Sequence, residues 1–349
     1  YRLCVTNMHL LPSFGESINE IKSDGFKVHY KINMSIDGYN HFSHLKSLGI
    51  FLSSFSDVIY SEKPDWIILA GDRGEQLMAA IAGAYTYIPV LHIQAGERSG
   101  NIDGMSRHAI GKFSHIHIAS NADAERRLER LGEEKFRIHN LGAPQLDELV
   151  SGFYLSKPEI QQNLNLDLDK KYLLVVQHPV TEEFDQAEFQ IAETMIALNK
   201  VNLTKLVILP NNDAGSIKIR EGIEKHLSGE YVMFSNIKRE EYLTLLKHAE
   251  AIVGNSSSGL LEAPTFCTPA VNIGRRQLGR EQGINVINTE YESVKILKAI
   301  NKAISPEFKK SLKNRCVNPY GDGKSSEKIL HLLLETEINN KLIVKDLTY

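Results

Sequence analysis

The sequence predicts an α/β protein made of two doubly wound, Rossmann-like domains facing each other across a cleft. Three observations predict it. Short apolar runs bounded by Gly, Pro or Asp alternate with longer stretches of helical period, the pattern of parallel strands joined by crossover helices. The alternation stops once, in the polar stretch "SKPEIQQNLNLDLDKK", and then restarts. Finally, 349 residues with 42% hydrophobic and 24% charged content supply enough chain for two ordinary cores.

In the first half, Leu3 to Thr6, Trp66 to Ala70, Ile88 to Ile93, His115 to Ala119 and Arg137 to Leu141 read as strands. Helices are expected between them, most clearly at Gly74 to Tyr85 and Ala122 to Leu131, the second opened by Asn121 as a cap. The irregular stretch after "GAPQLDELV" has the composition of a connection, so the division is expected at 155/156. Beyond it, Tyr172 to Gln177, Lys205 to Leu209, Tyr231 to Phe234, Ala251 to Val253, Ala270 to Ile273 and Asn285 to Ile287 read as strands. Asp185 to Leu198, Arg239 to His248, Val294 to Ile304 and Ser325 to Leu334 read as helices. There is no short repeat and no low-complexity segment.

A net charge of -3 with signs intermixed leaves no basic stripe for nucleic acid or a membrane surface, which points to a small-molecule substrate. Cys4, Cys267 and Cys316 are far apart in sequence and in no CxxC pair. That argues against a disulfide framework or a structural zinc and for a reducing compartment. No apolar run approaches the ~20 residues that span a bilayer, and the N-terminus does not read as a signal peptide. The chain opens at Tyr1 inside an apolar run, "YRLCV", so its true start is expected to be missing.

Ligands of open parallel sheets bind beyond the carboxyl ends of the strands. Four loops in that position carry unusual chemistry: "GDRGE" (Gly71 to Glu75), "QAGERSGNIDGMSRH" (Gln94 to His108), "QHPVTEE" (Gln177 to Glu183) and "GNSSSGLLEAP" (Gly254 to Pro264). In the last, small residues let the backbone approach a ligand, and N–H groups and hydroxyls at a helix start suit a diphosphate. Glu262, one to two turns into that helix, suits two ribose hydroxyls; the plain alternative is a Ser-rich cap with a solvated Glu. No GxxxxGK[ST] motif occurs. In "GRRQLGRE", Arg275, Arg276 and Arg280 each offer a fork for phosphate, or simply a solvated surface. His178 is held near a strand end, where a structural role is the commoner one. His115 and His117 read as packing or surface residues with no metal-ligand partner at suitable spacing, so no metal is expected.

The ordered motifs "MHLLPSFGES", "GDRGE", "HIQAGERSGNID" with "RHAIGKFSHIH", "LGAPQLDEL", "QHPVTEE", "PNNDAGS", "GNSSSGLLEAP", "NIGRRQLGREQG" and "NPYGDG" resemble those of hydrolysing UDP-N-acetylglucosamine 2-epimerases over nearly the whole chain. The resemblance implies a GT-B-like pair of domains: residues 1–155, and a nucleotide-binding domain at 156–323, with the C-terminal helix of 324–349 crossing back to the first. It also implies a homodimer working in the cytoplasm on the route to sialic or another nonulosonic acid. The family's opening "GTRAxYG"-like loop has no counterpart here, in keeping with a missing first strand and loop.

The implied chemistry is loss of the C2 proton of a UDP-2-acetamido sugar as UDP leaves C1, then addition of water to the 2-acetamidoglycal with inverted C2. The donor is UDP-GlcNAc or a 2,4-diacetamido-trideoxy analogue, the product a free ManNAc-type sugar, and nothing in the scheme demands NAD or another cofactor. By motif position Asp72 and Asp103 match catalytic acids, although Asp103 also suits a helix cap and Asp72 a strand-end turn. His178 matches the "QHPVT" histidine and Arg107 the arginine after the acid. Arg73 and His178 suit the departing diphosphate. Asn211, Ser256, Ser257, Glu262 and Arg276 match nucleotide contacts. Two positions depart from the family: Gln94 stands where a catalytic Glu is usual, and Gly104 where a second acid is frequent. Glu97 is the nearest ionisable candidate for the missing duty, with Gln94 bonding a sugar substituent; alternatively Glu97 only shapes its loop. The other readings are a glycosyltransferase on the same fold, which would need an acceptor, a non-hydrolysing epimerase, and a nucleotide-sugar sensor without catalysis.

Overall fold

Twelve strands are described, and every pairing among them is parallel: β1 (Cys4–Thr6), β2 (Tyr30–Ile32), β3 (Ile67–Ala70), β4 (Val90–Ile93), β5 (Ile116–Ala119), β6 (Ile138–Asn140), β7 (Tyr172–Val176), β8 (Thr204–Ile208), β9 (Tyr231–Phe234), β10 (Ala251–Gly254), β11 (Ala270–Ile273) and β12 (Val286–Thr289). The computed structural model describes residues 1–12, 16–36, 41–98, 102–152, 154–210, 216–235, 237–313 and 315–348, without the side chains of residues 41, 102, 103, 181, 182 and 184. The chain forms two units, Tyr1–Leu141 with Ile329–Tyr349, and Gly142–Lys328. No described helix is long and apolar enough to cross a membrane.

The first unit holds the sheet β3-β4-β5-β6 and the separate pair β1-β2. Strand β2 had no counterpart in the sequence reading, and the helix His41–Glu62 was not delimited in it. That helix is rich in Ser and interrupted by Gly49, so propensity alone does not mark it. Helix Ala122–Arg130 begins as expected, with the Asn121 side chain accepting a hydrogen bond from the Ala124 N–H at 2.9 Å.

Residues near the C-terminus belong to this unit because a buried arginine holds them. Arg137, fully buried, donates Nη1 to Leu342 O at 2.6 Å and Nη2 to Lys341 O and Val344 O at 2.8 Å. Beside it the Glu133 carboxylate accepts from His117 Nε2 at 2.9 Å, Lys112 Nζ at 2.9 Å and Lys345 Nζ at 2.7 Å. Burial alone would raise the Glu133 carboxyl; these partners override it and hold the group well below the usual carboxylate range.

The second unit is one six-stranded sheet of order β12-β11-β10-β7-β8-β9. Numbered from β7 as its first strand, this is the 3-2-1-4-5-6 doubly wound order, whose switch point lies between β7 and β10. Both faces are covered, which is why its strands read as continuous apolar runs rather than alternating ones. Leu173 and Val175 pack with Ile191, Ile219 and Ile296 on one face, whereas Tyr172, Leu174 and Val176 pack with Ile160, Leu245 and Ala263 on the other.

The expected division at 155/156 falls instead at 141/142. Ala143, Leu146 and Leu149 are buried with Leu243 and Tyr320 of the second unit, a tertiary cluster that local composition does not reveal. The polar stretch read as a connection contains the helix Lys157–Leu164, with Pro158 in its first turn and the Ser156 N–H bonded to Glu159 at 2.8 Å. Its Ile160 is fully buried.

Candidate functional site

In the first unit the sequence-selected loops follow β3 and β4. Beyond β3, Gly71 and Asp72 precede the helix Gly74–Tyr85, with Arg73 at its N-cap. The exposed Arg73 Nε lies 3.5 Å from the buried carboxylate of Glu75. Asp72 is engaged by Arg107, a buried side chain on the helix Ile102–Phe113 that donates Nη2 to the Asp72 carboxylate and Nη1 to Gln94 O at 2.6 Å. One guanidinium therefore ties together the loops after β3 and β4, which only a planar fork does with two divergent donors.

Gln94 adopts φ +62°, the left-handed region that a non-glycine residue enters at a cost. The turn beyond it is pinned on both sides: the Ala95 N–H donates to Ile118 O at 3.0 Å, and Arg127 Nη1 donates to Gly96 O at 2.7 Å. Gly96, at φ +75°, leaves no room for a side chain, since a Cβ there would lie 2.6 Å from Ala124 O. Glu97 follows directly and is buried. Asp103 lies on the helix Ile102–Phe113, but its side chain is outside the described residues, as is the whole of Asn211.

A residue that sequence reasoning passed over supports this half. His92, at the centre of β4, is fully buried and donates Nε2–H to Gly71 O at 2.7 Å, fixing the turn that carries Asp72. Burial pushes the His92 ring down to about 3, so it is a neutral positioning group. His115 and His117 are likewise buried and lowered to about 4, chiefly by desolvation. The packing role expected of them is what their surroundings show, with the addition of Glu133, sixteen positions from His117 and invisible to any spacing rule.

In the second unit the loops after β7, β10 and β11 meet at the switch point. Gly254 ends β10 at φ +136°, where a Cβ would collide with the Val176 carbonyl of β7. Asn255, fully buried, donates Nδ2–H to His178 O at 2.8 Å and accepts the His178 N–H on Oδ1 at 2.7 Å. Its own carbonyl accepts from Arg276 Nη1 at 3.2 Å and Gln277 Nε2 at 2.9 Å. His178 and Arg276 are thus brought to the same residue, next to the half-buried Ser256 and Ser257. Of the three arginines left open, Arg275 pairs with Glu183 and Arg280 with the Gln277 amide, so Arg276 is the one anchored on the β10 loop.

The helix after this loop is shorter than expected. It is one turn, Ser258–Leu261, and Glu262 lies just past its end rather than one to two turns inside. Pro264, in the tight turn Ala263–Phe266, ends it early. A helix this short adds little dipole. Glu262 is buried, accepts from Ser258 Oγ and pairs with Arg239. Burial, reinforced by the Glu262 charge, pushes the neighbouring Tyr242 hydroxyl far above its ordinary value. Among the described residues no group of three or more His, Cys, Asp or Glu could hold a metal ion.

Known proteins are similar to this chain in sequence and in fold. A relative from Legionella pneumophila, "UDP-N,N'-diacetylbacillosamine 2-epimerase (hydrolyzing)", is 38% identical over 98% of this chain and 90% of its own length. The "UDP-N-acetylglucosamine 2-epimerase" of Neisseria meningitidis serogroup B is 36% identical over 87% of this chain and 79% of its own. Among solved structures, UDP-GlcNAc 2-epimerase from Neisseria meningitidis bound to UDP-GlcNAc superposes with a TM-score of 0.80 at 21% identity, covering 96% of this chain and 92% of that one. The expected fold class, two Rossmann-like α/β units of the GT-B-like kind, is the one these structures share. Residues 1–334 match the family described as UDP-N-acetylglucosamine 2-epimerase, and the chain belongs to that family.

Proposed function

We propose that the protein is a hydrolysing 2-epimerase that takes a UDP-2-acetamido sugar to UDP and the free C2-inverted sugar, and that its donor is the 2,4-diacetamido-2,4,6-trideoxy sugar rather than UDP-GlcNAc. The observation that carries this reading is the 38% identity, over 98% of the chain, to a relative whose name states both hydrolysis and that donor. The geometry supports the division of labour. In the second unit Ser256, Ser257 and Arg276 are assigned to the diphosphate, Glu262 to the ribose and Asn211 to the nucleotide. A carboxylate offers about four lone-pair sites, so Glu262 keeps acceptor capacity beside Ser258 and Arg239.

In the first unit Asp72, Asp103 and Glu97 supply carboxylates near a ring that becomes cationic as the C1–O bond breaks. One accepts the C2 proton, and the electron pair of that C–H bond closes the C1–C2 double bond of the glycal. UDP departs with the C1–O electrons, its charge met by His178 and Arg73. Water then returns hydroxide to C1 and a proton to the opposite face of C2. Arg107 orients Asp72, and Gln94 bonds a sugar substituent.

The test is incubation with each donor in heavy water without an acceptor, followed by NMR. Release of UDP with a free sugar deuterated at C2, faster for the diacetamido donor, is expected. A mixture of UDP-sugars would make the enzyme non-hydrolysing, and absence of UDP release from both donors would remove the hydrolytic reading.

A further inference from the structure

The strands β7 and β10 are hydrogen-bonded neighbours as far as Val176 and Gly254, and the Asn255 N–H adds one more bond to Val176 O at 3.1 Å. Past that point their loops leave toward opposite faces, as every switch point requires, and the ladder has no further backbone rung. The Asn255 side chain supplies it. An amide presents one donor and one acceptor side by side, as a peptide group does, and here it meets both the N–H and the C=O of a single residue, His178. The residue after His178 is Pro179, which has no N–H to offer a neighbouring strand. The Asn255 carbonyl, left without a strand partner, takes Arg276 and Gln277 from the β11 loop instead.

We infer that Asn255 is a positioning residue for the reaction, acting through its side chain on His178 and through its backbone on Arg276. This rests on the assignment of His178 to the leaving diphosphate. The two links are chemically separable, because a substitution removes the amide and leaves the carbonyl. Asn255→Ala therefore uncouples His178 while the Arg276 anchor persists. In Asn255→Asp the acceptor for the His178 N–H survives, but the second oxygen now opposes the His178 carbonyl. Both variants lower kcat and leave KM for the intact UDP-sugar nearly unchanged, since His178 acts on charge that develops only as UDP departs.

The experiment measures kcat and KM for the UDP-sugar with Asn255→Ala, Asn255→Asp, His178→Ala and the Asn255→Asp/His178→Ala double variant, on protein whose circular dichroism matches wild type. The single Asn255 variants are expected to lose on the order of 10- to 100-fold in kcat, the scale of a misplaced catalytic group. KM for the donor should change less than about 3-fold, and in the His178→Ala background the Asn255→Asp change should cost almost nothing more in kcat. If Asn255→Ala does not fold, the Asp variant and the double variant decide alone. Additive losses in the double variant, wild-type kcat in the single ones, or a rise in donor KM that alone accounts for the loss of kcat/KM would overturn the inference. Wild-type turnover in His178→Ala would overturn the assignment of His178 itself and the inference with it; a dead His178→Ala beside active Asn255 variants would overturn the inference alone.

Discussion

Arg107 and Asp72, thirty-five positions apart, form an ion pair in which the guanidinium is buried and the carboxylate is mostly so. The same guanidinium holds the Gln94 carbonyl, so the acid after β3 and the turn after β4 cannot move independently. An ion pair of this kind is weak evidence for stability but strong evidence for a fixed geometry, because leaving either charge alone is costly.

Replacing Arg107 separates charge from geometry. Arg107→Lys keeps a cation beside Asp72 but loses the second donor, whereas Arg107→Met loses both. Turnover is expected to fall at least about 10-fold in Lys and further in Met, with UDP affinity within error of wild type. Denaturant titration should show Met destabilised by roughly 2–4 kcal/mol, near the lower end for an orphaned buried charge. A Met variant with wild-type kcat would mean that Asp72 needs no partner.

Glu97 is buried directly after a turn pinned by Arg127 and Ala95, so its direction is set by the fold. Glu97→Gln is isosteric and should fold normally. Its turnover is expected to drop by on the order of 10²-fold, as for loss of a general acid or base, with glycal accumulating in NMR traces. Gln94→Glu should alter the ratio of kcat/KM between the two donors more than UDP affinity. A folded Glu97→Gln enzyme at full speed would leave that side chain with a loop-shaping role only.

Three histidines of the first unit, His92, His115 and His117, have ring pKa values pushed down by burial to between about 3 and about 4. The unfolded chain, with ordinary values near 6.5, therefore takes up protons first as pH falls. Their contribution to stability is whole above pH ~6.5 and is lost progressively toward pH ~4, each group costing about 1.4 kcal/mol per pH unit within that window. Glu133, held low by His117, Lys112 and Lys345, adds to the loss only below its ordinary range near pH ~4.5. Thermal melts from pH 7.5 to 5 should show a steep decline, reduced by about a third in His92→Gln. A flat profile over that range would contradict the neutral, buried state of these rings.

Removing the Arg137 side chain strands the carbonyls of Lys341, Leu342 and Val344 without their donor. Arg137→Ala is expected to cost roughly 3–5 kcal/mol and to expose residues 338–348 to limited proteolysis. Arg137→Lys should fall between, since one ammonium cannot satisfy that spread of acceptors. Unchanged protease resistance in the Ala variant would show that Lys345 and Glu133 hold the segment by themselves.

What the sequence discloses and what it hides divide along a physical line. Strands buried on both faces, such as β7 with its run Tyr172 to Val176, announce themselves by composition, and Asn121 announces its helix by chemistry confined to four residues. Asp72, Arg107, His178 and Arg276 could be selected as candidates because chemical type and motif order single them out. Asn255 and His92 were not, although both lie inside quoted motifs, because their value is in bonds to the His178 backbone and to Gly71 O that no local pattern encodes. The division at 141/142 was missed for the same reason: Leu146 and Leu149 join Leu243, nearly a hundred positions on.

The clamp at Arg137 also bears on how the chain is made. Its acceptors stand 204 to 207 positions downstream, so they leave the ribosome only after the entire second unit has been synthesised. Until then the first unit carries a guanidinium in its interior with Glu134 as its ionic partner and without most of its carbonyls. The second unit, continuous in sequence, has no such debt and can close first. The unit made first is thereby the one completed last, and a nascent chain stalled before residue 341 would present its chaperones with an unfinished first unit and a finished second one.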